Sequence, residues 1–206
     1  MKIIPMDQST LPTLDPLIEH IRKKVSLSPE EVRETLLSFK LKNIKKRQFI
    51  IQPDFVATHR NYVLKGSFRA YVVDSKGQEY TIQLAIEDWW ISDYNSYIFQ
   101  QPATMFVVAL EDSEVAQIDY SREQYLKRYS PTFETFFRIM AERSTAFQQR
   151  RLIANLTQTA EERYHHFLEQ YPRLVQRIPQ YALASYLGMT TEFISRLRNQ
   201  KKKAKS

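Results

Sequence analysis

The hydrophobic period of this chain changes twice, from helical to alternating near Lys40 and back to helical after Tyr120, and that succession restricts the folds open to it. Before Lys40 two short helices are expected. Asp15-Pro16 opens the first, with Leu17, Ile18, Ile21 and Val25 as its apolar stripe. Ser28-Pro29-Glu30-Glu31 opens the second: the serine caps, the proline fits the first position and Glu31 returns the capping-box bond, while Val32, Leu36 and Phe39 face inward. Strands follow. Phe49 and Ile51 alternate with polar neighbours before Pro53-Asp54, and Arg60 to Val73 reads as a strand broken at Gly66. Asp74-Ser75-Lys76-Gly77 then turns the chain into a strict alternation, with Tyr80, Ile82, Leu84 and Ile86 apolar between Thr81, Gln83, Ala85 and Glu87. Met105 to Leu110 and Val115 to Ile118 suggest a further strand pair around Glu111-Asp112-Ser113. Short strands at this spacing predict an antiparallel sandwich or barrel over residues of about 40 to 120.

The returning helical period predicts one long helix over about 131–156, entered at Pro131, with Phe133, Phe136, Phe137, Met140 and Phe147 at steps of three and four or a multiple of them. Such a stripe serves equally as core packing or as a dimer seam. Polar Thr157 to Thr159 interrupts it, and Thr159-Ala160-Glu161-Glu162 is a second capping box that starts a helix through Tyr164, Phe167 and Leu168 to the stop at Tyr171-Pro172. The domain boundary is therefore set at the interruption, giving segments 1–157 and 158–206.

Two more helices are expected between Ile178 and Gln200. Pro179 suits a first turn, Leu183, Ala184 and Leu187 recur at helical spacing, and Gly188 can take the left-handed conformation that reverses the chain. Thr190 or Thr191 caps the second helix, which puts Phe193, Ile194 and Leu197 on its buried side and Glu192, Ser195, Arg196 and Asn199 on its polar side. Small Ala184 permits the close crossing a DNA-binding helix-turn-helix needs, although helical hairpins in bundles share these traits. Charge adds weight to the DNA reading. Lys and Arg number 30 against 23 Asp and Glu, a formal +7, and Arg196, Arg198, Lys201, Lys202, Lys203 and Lys205 stand at the end with no acid among them.

Other functions are disfavoured by what is missing. The chain has no cysteine, which rules out disulfides, thiolate catalysis and cysteine-held zinc or iron–sulfur clusters. Its three glycines form no phosphate loop, no Ser-His-Asp order stands out, and the acids are scattered, so the chain is expected not to be an enzyme. No apolar run matches a membrane span and no signal peptide opens the sequence, so no membrane partner and a cytoplasmic location are expected.

Taken together, two leading helices, a β roll, a long helix and a helical unit with a helix-turn-helix resemble the bacterial transcription regulators that include the catabolite activator protein and the fumarate and nitrate reduction regulator, the Crp/Fnr family. The resemblance covers nearly the whole chain and is most specific in Ala184-Ser185-Tyr186-Leu187-Gly188-Met189-Thr190, in Ser195-Arg196-Leu197-Arg198 and in Ala160-Glu161-Glu162-Arg163-Tyr164; Val63-Leu64-Lys65-Gly66 adds a weaker match in the roll. It implies an α+β fold: an N-terminal double-stranded β-helix, or jelly roll, of the cyclic-nucleotide-binding kind, a long dimerisation helix and a C-terminal helix-turn-helix. It implies a homodimer joined along the long helix, bound to a pseudo-palindromic double-stranded operator, with RNA polymerase as a further partner. Thr191, Glu192 and Arg196 match the base-reading positions; arginine suits guanine and a carboxylate suits cytosine. Thr190 and Ser195 would hold phosphates, and Arg198, Asn199 and Lys201 would add to the DNA surface.

Departures from the family pattern narrow the effector. Cyclic-nucleotide binders carry a Gly-Glu pair and then an arginine before Ser or Thr; here the stretch is Asp88-Trp89-Trp90-Ile91-Ser92-Asp93, then Gln101-Pro102-Ala103-Thr104, with Ala103 in the arginine's place. Cyclic AMP is therefore not expected to bind tightly. Trp89, Trp90, Tyr94 and Thr104, with Tyr97 and Phe99, could line a pocket for another, unknown effector, but packing of the roll against the long helix is favoured. No cofactor is expected: His20, His59 and the pair His165-His166 are poor haem candidates, since adjacent histidines cannot share a helix face. The β wing of many relatives could come from Leu174 to Ile178 or be absent. The competing reading is a ligand-sensing or protein-interaction module that does not bind DNA.

Overall fold

The structure is a computed structural model that describes residues 13–203, with side chains through residue 199. Helices α1 (Asp15–Arg22) and α2 (Pro29–Ser38) lead, and the predicted capping box forms: Ser28 Oγ accepts from the Glu31 N–H at 3.2 Å while Glu31 accepts from the Ser28 N–H at 2.8 Å. The expected inward face of α2 is corrected. Leu36 is exposed and Val32 only half-buried, whereas Glu31, Thr35 and Ser38 are buried together with Phe39. Polar bonds explain this inversion: Glu31 also accepts from the Ser130 hydroxyl at 2.5 Å, which turns the polar side of the helix toward the chain.

Eight strands follow: β1 (Lys40–Ile44), β2 (Phe49–Ile51), β3 (His59–Lys65), β4 (Phe68–Val73), β5 (Glu79–Ala85), β6 (Trp90–Ile91), β7 (Phe106–Ala109) and β8 (Ser113–Asp119), with the short helix α3 (Tyr94–Phe99) before β7. They form two antiparallel sheets, ordered β1-β8-β3-β6 and β2-β7-β4-β5. The β4–β5 hairpin is as predicted, but β7 and β8 do not pair with each other. They lie in opposite sheets, so Glu111-Asp112-Ser113 carries the chain from one sheet to the other. Gly66 is required at the β3–β4 turn: φ is +103° and a Cβ there would lie 2.0 Å from Ser113 Oγ.

Helix α4 (Tyr120–Tyr129) leads into the long α5 (Pro131–Thr157), which ends where Gln158 turns extended. Helices α6 (Ala160–Gln170), α7 (Pro172–Arg177), α8 (Gln180–Leu187) and α9 (Thr191–Lys203) complete the chain. Leu174 to Ile178 is thus helical up to Arg177 and supplies no strand, because Pro172 restarts a helix at its first position.

Three apolar layers are separated by the two sheets. Val63, Phe68, Val107 and Val115 fill the roll. On the outer side of the first sheet Tyr62, Ala116 and Ile118 meet Leu17, Ile21, Leu126, Phe133, Phe136 and Phe137 from the helices. Neighbouring residues of one strand, Tyr62 and Val63, therefore serve different layers, as a strand buried on both faces requires. The second sheet repeats the arrangement: Ala85 joins the roll core while Leu84 and Ile86 pack against α6, α7 and α8.

Candidate nucleic-acid interface

The polar face predicted for the last helix is built by a turn and a cap. Gly188 takes φ +68°, its N–H donates to Ser185 O at 3.3 Å and the Met189 N–H donates to Ala184 O at 2.9 Å, closing α8. Pro179 stands just outside α8, capping it from an extended conformation and not from within the first turn. Thr190 Oγ1 accepts from the Phe193 N–H at 3.2 Å and so caps α9. Gln180 clamps the two helices by donating to Thr191 O at 2.8 Å and to Ser195 Oγ at 2.6 Å. Ile194 and Leu197 are buried against Ala182, Leu183, Ala184 and Leu187.

That packing leaves Thr190, Glu192, Ser195, Arg196 and Asn199 exposed and Thr191 half-exposed on one side. The Glu192 carboxyl is held below its ordinary range by its own backbone N–H and by the Thr191 and Thr190 hydroxyls, which keeps it an acceptor near neutrality. Two placements differ from expectation. Phe193 is not fully buried: its ring supports the Arg196 guanidinium at 5.0 Å, which orients that side chain outward. Arg198 turns away from the exposed side, its Nε donating to the Tyr164 hydroxyl at 3.3 Å, because its position points back over α6. The side chain of Lys201 lies outside the described residues.

The C-terminal helices are seated on the free edge of β5. Ser185 Oγ accepts from the Thr81 N–H at 2.8 Å and donates to Glu79 O at 3.1 Å. Arg151 of α5 donates to Thr81 O at 3.2 Å, to Ile82 O, and to Tyr186 O at 3.1 Å, and stacks on the Tyr186 ring at 4.1 Å. Arg177 bridges Glu87 at 2.5 Å and Glu111 at 2.6 Å, with Arg173 reaching Glu87 at 3.4 Å. These bonds were missed by sequence reasoning, because each joins residues at least 35 apart; the only signal was Arg173 and Arg177 one turn apart after Pro172.

The residues expected around an effector pocket do not converge. Trp89 packs edge-on against Tyr171 at 5.5 Å, toward the C-terminal helices. Trp90 faces the other layer, 5.3 Å from Tyr62, with its Nε1–H donating to His20 Nε2 at 3.3 Å. Tyr94 accepts from Arg60, and Thr104 donates its N–H to Asp93 at 2.9 Å. Tyr97 is buried, donating to Glu123 at 2.9 Å, and Phe99 is exposed. None of Trp89, Trp90, Tyr94 and Thr104 lines either the 590 Å³ or the 290 Å³ cavity.

Asp93 ties the start of α3 to the loop that leads into β7. Fully buried, its carboxylate accepts from the backbone N–H groups of Ser96 at 3.0 Å, Thr104 at 2.9 Å and Met105 at 3.1 Å, with Ala103 buried beside them. The phenylalanines expected at a dimer seam are taken up within the chain. Phe133, Phe136 and Phe137 are 1%, 1% and 3% exposed within their own chain, packed on α1 and β3, while Met140 is half-buried against them and Phe147 half-buried at a cavity near the end of α5. The large apolar side chains exposed on α5 are Leu152, Ile153 and Leu156.

The sequence matches no protein-family model and no curated protein. Solved structures do match. The regulator CLP of Xanthomonas campestris, described as responsive to c-di-GMP, aligns over 86% of this chain and 93% of its own with a TM-score of 0.68 at 14% identity. FixK2 of Bradyrhizobium japonicum gives 0.67 at 18% identity, over 81% of this chain and 85% of its own. A Crp/Fnr-family transcriptional regulator from Eubacterium rectale gives 0.64 at 15% identity, over 85% and 84%. The chain has the Crp/Fnr fold. Among the described residues no helix is long and apolar enough to cross a membrane.

Proposed function

We propose that the chain is a homodimeric, sequence-specific regulator of transcription that reads double-stranded DNA with α9. What carries the reading is the side of α9 on which Glu192, Ser195, Arg196 and Asn199 stand exposed while α8 packs behind it. This is the disposition that lets a second helix enter a major groove while the first lies across the backbone. Arg196, propped on Phe193, is presented as a bidentate donor to guanine, Glu192 as an acceptor for cytosine, and Thr190 and Ser195 as phosphate contacts. The segments 1–157 and 158–206 then act as sensor with connecting helix and as DNA-binding unit.

The dimer seam is assigned to the outer face of α5, where Ala141, Thr145, Gln148, Leu152 and Leu156 stand exposed at steps of three and four. Seating of α8 on β5 gives the roll a handle on the DNA-binding unit, so that a change in the roll or along α5 shifts the population of docked heads. Cyclic AMP is not the effector in this reading: the amides of Thr104 and Met105 already serve the Asp93 carboxylate, and a phosphate would meet a buried anion and no arginine. Calorimetric titration with cyclic AMP is expected to give no micromolar binding.

Selection of bound fragments from a random DNA pool tests the main reading. A two-fold symmetric site should emerge, with affinity falling steeply as salt rises. Arg196→Ala should cost about 1–3 kcal/mol and relax the choice at one base position per half-site. Uniform weakening on every sequence would place Arg196 on phosphate, and the absence of any preferred sequence would overturn the reading.

A further inference from the structure

A cavity of about 590 Å³ opens between the last turns of α5, helix α6 and helix α8. Its volume is in the range of small-molecule sites, roughly 300–1,000 Å³. Among the described residues no acidic one lines it. Basic residues come from two elements: Arg150 and Arg151 on α5, and Arg163 and His166 on α6, the last with its Nδ1 3.3 Å from Gln158 Nε2. Aromatic rings complete the wall, with Phe147 on one side and Phe167, Tyr171 and Tyr186 on the other.

The bonding of the three guanidinium groups separates structural from available donors. Arg151 is committed to the carbonyls of Thr81, Ile82 and Tyr186. Arg163 gives its two terminal nitrogens to Gln158 O at 2.7 Å and Leu187 O at 3.3 Å, which leaves its Nε buried with no partner. A buried donor without an acceptor costs about 1–3 kcal/mol, a deficit that a bound anion removes. Arg150 is exposed and makes no hydrogen bond or ion pair among the described residues.

We propose that this cavity is a binding site for an aromatic anion, a planar ring joined directly or through a sugar to a phosphate or a carboxylate. The ring packs among Phe147, Phe167 and Tyr186, and the anion is held by the Arg150 guanidinium and Arg163 Nε. The site is distinct from the roll interior where the family's phosphate loop lies. It spans the break at Gln158, so its occupant touches both the long helix and the C-terminal helices. The assignment does not depend on DNA binding and is tested without DNA.

The experiment is calorimetric titration of the full chain with adenosine 5′-monophosphate and with 4-hydroxybenzoate, each against its neutral counterpart, adenosine and 4-hydroxybenzamide. At least one anion is expected to bind with a dissociation constant below about 1 mM and about tenfold more tightly than its neutral counterpart. A nucleotide preference identifies a nucleoside phosphate as the ligand class, a benzoate preference an aromatic carboxylate. Arg150→Gln, which breaks no internal bond, should weaken binding about tenfold with an unchanged melting temperature, while Lys76→Gln on the distant hairpin should change nothing. Arg163→Gln should weaken it comparably. Binding of both anions no tighter than their neutral counterparts, no binding below about 1 mM, or full affinity in Arg150→Gln would overturn the proposal.

Discussion

Arg151 is where the seating of the C-terminal helices is most open to test. Its guanidinium joins three elements, donating from α5 to Thr81 O and Ile82 O of β5 and to Tyr186 O of α8, and stacking on the Tyr186 ring. A buried charged donor contributes about 1.5–3 kcal/mol per bond. Half exposure of Arg151 reduces that, so Arg151→Ala is expected to cost the docked arrangement roughly 2–3 kcal/mol in all. At about 1.4 kcal/mol per tenfold, the fraction of undocked heads should rise about 30- to 150-fold. Hydrogen exchange at the Thr81 amide reads this directly, since that N–H donates to Ser185 Oγ, a pair Arg151→Ala leaves intact. Protection at Thr81 should fall by the same factor while the amides between β3 and β8 keep theirs. If the melting temperature fell but Thr81 protection changed less than about threefold, Arg151 would be supporting only its own helix, and Leu84 and Ile86 would be holding the heads unaided.

Two further expectations concern the helical layer. Glu123 is fully buried, paired with Arg60 at 3.2 Å and Lys127 at 2.9 Å, and accepts from Tyr97; Glu123→Gln leaves the Arg60 guanidinium uncompensated among Trp90, Tyr94, Tyr97 and Phe137 and should cost about 3–5 kcal/mol in urea melts. His20 is held neutral, burial and then Lys24 lowering its pKa from 6.5 to about 4, while Asp88 opposes them. A depressed histidine loses its stabilising contribution as pH falls through that same interval, because the unfolded chain takes up the proton first. Full linkage would be about 3 kcal/mol, reduced to roughly 2 by partial solvent screening. His20→Gln should flatten the fall in stability between pH 6.5 and 4 by that amount, and an unchanged slope would contradict it.

The sequence revealed element types better than it revealed partners. Capping boxes at Ser28 and Thr159 and the glycine turn at Gly188 were legible because they are closed within a few residues, and each forms as expected. Alternation in β5 was equally visible, yet its sense was not. A period of two says that a strand has two unlike faces and not which layer covers either; Ile86 and Leu84 proved to face the C-terminal helices, while small Ala85 faces the roll. Likewise the phenylalanine stripe of α5 indicated burial without saying that α1 and β3 would supply it. What neither period could show is why the helices seat at one register. Apolar contact at Leu84 and Ile86 favours covering β5 but tolerates sliding. The paired bonds of Ser185 to Thr81 and Glu79 do not, since a shift of one residue along the strand turns the edge N–H away and leaves the hydroxyl without its donor. Ser185→Ala separates the two contributions: heads should stay associated with β5 through the apolar contact while the Thr81 amide loses its protection, and retained protection would show that packing alone sets the register.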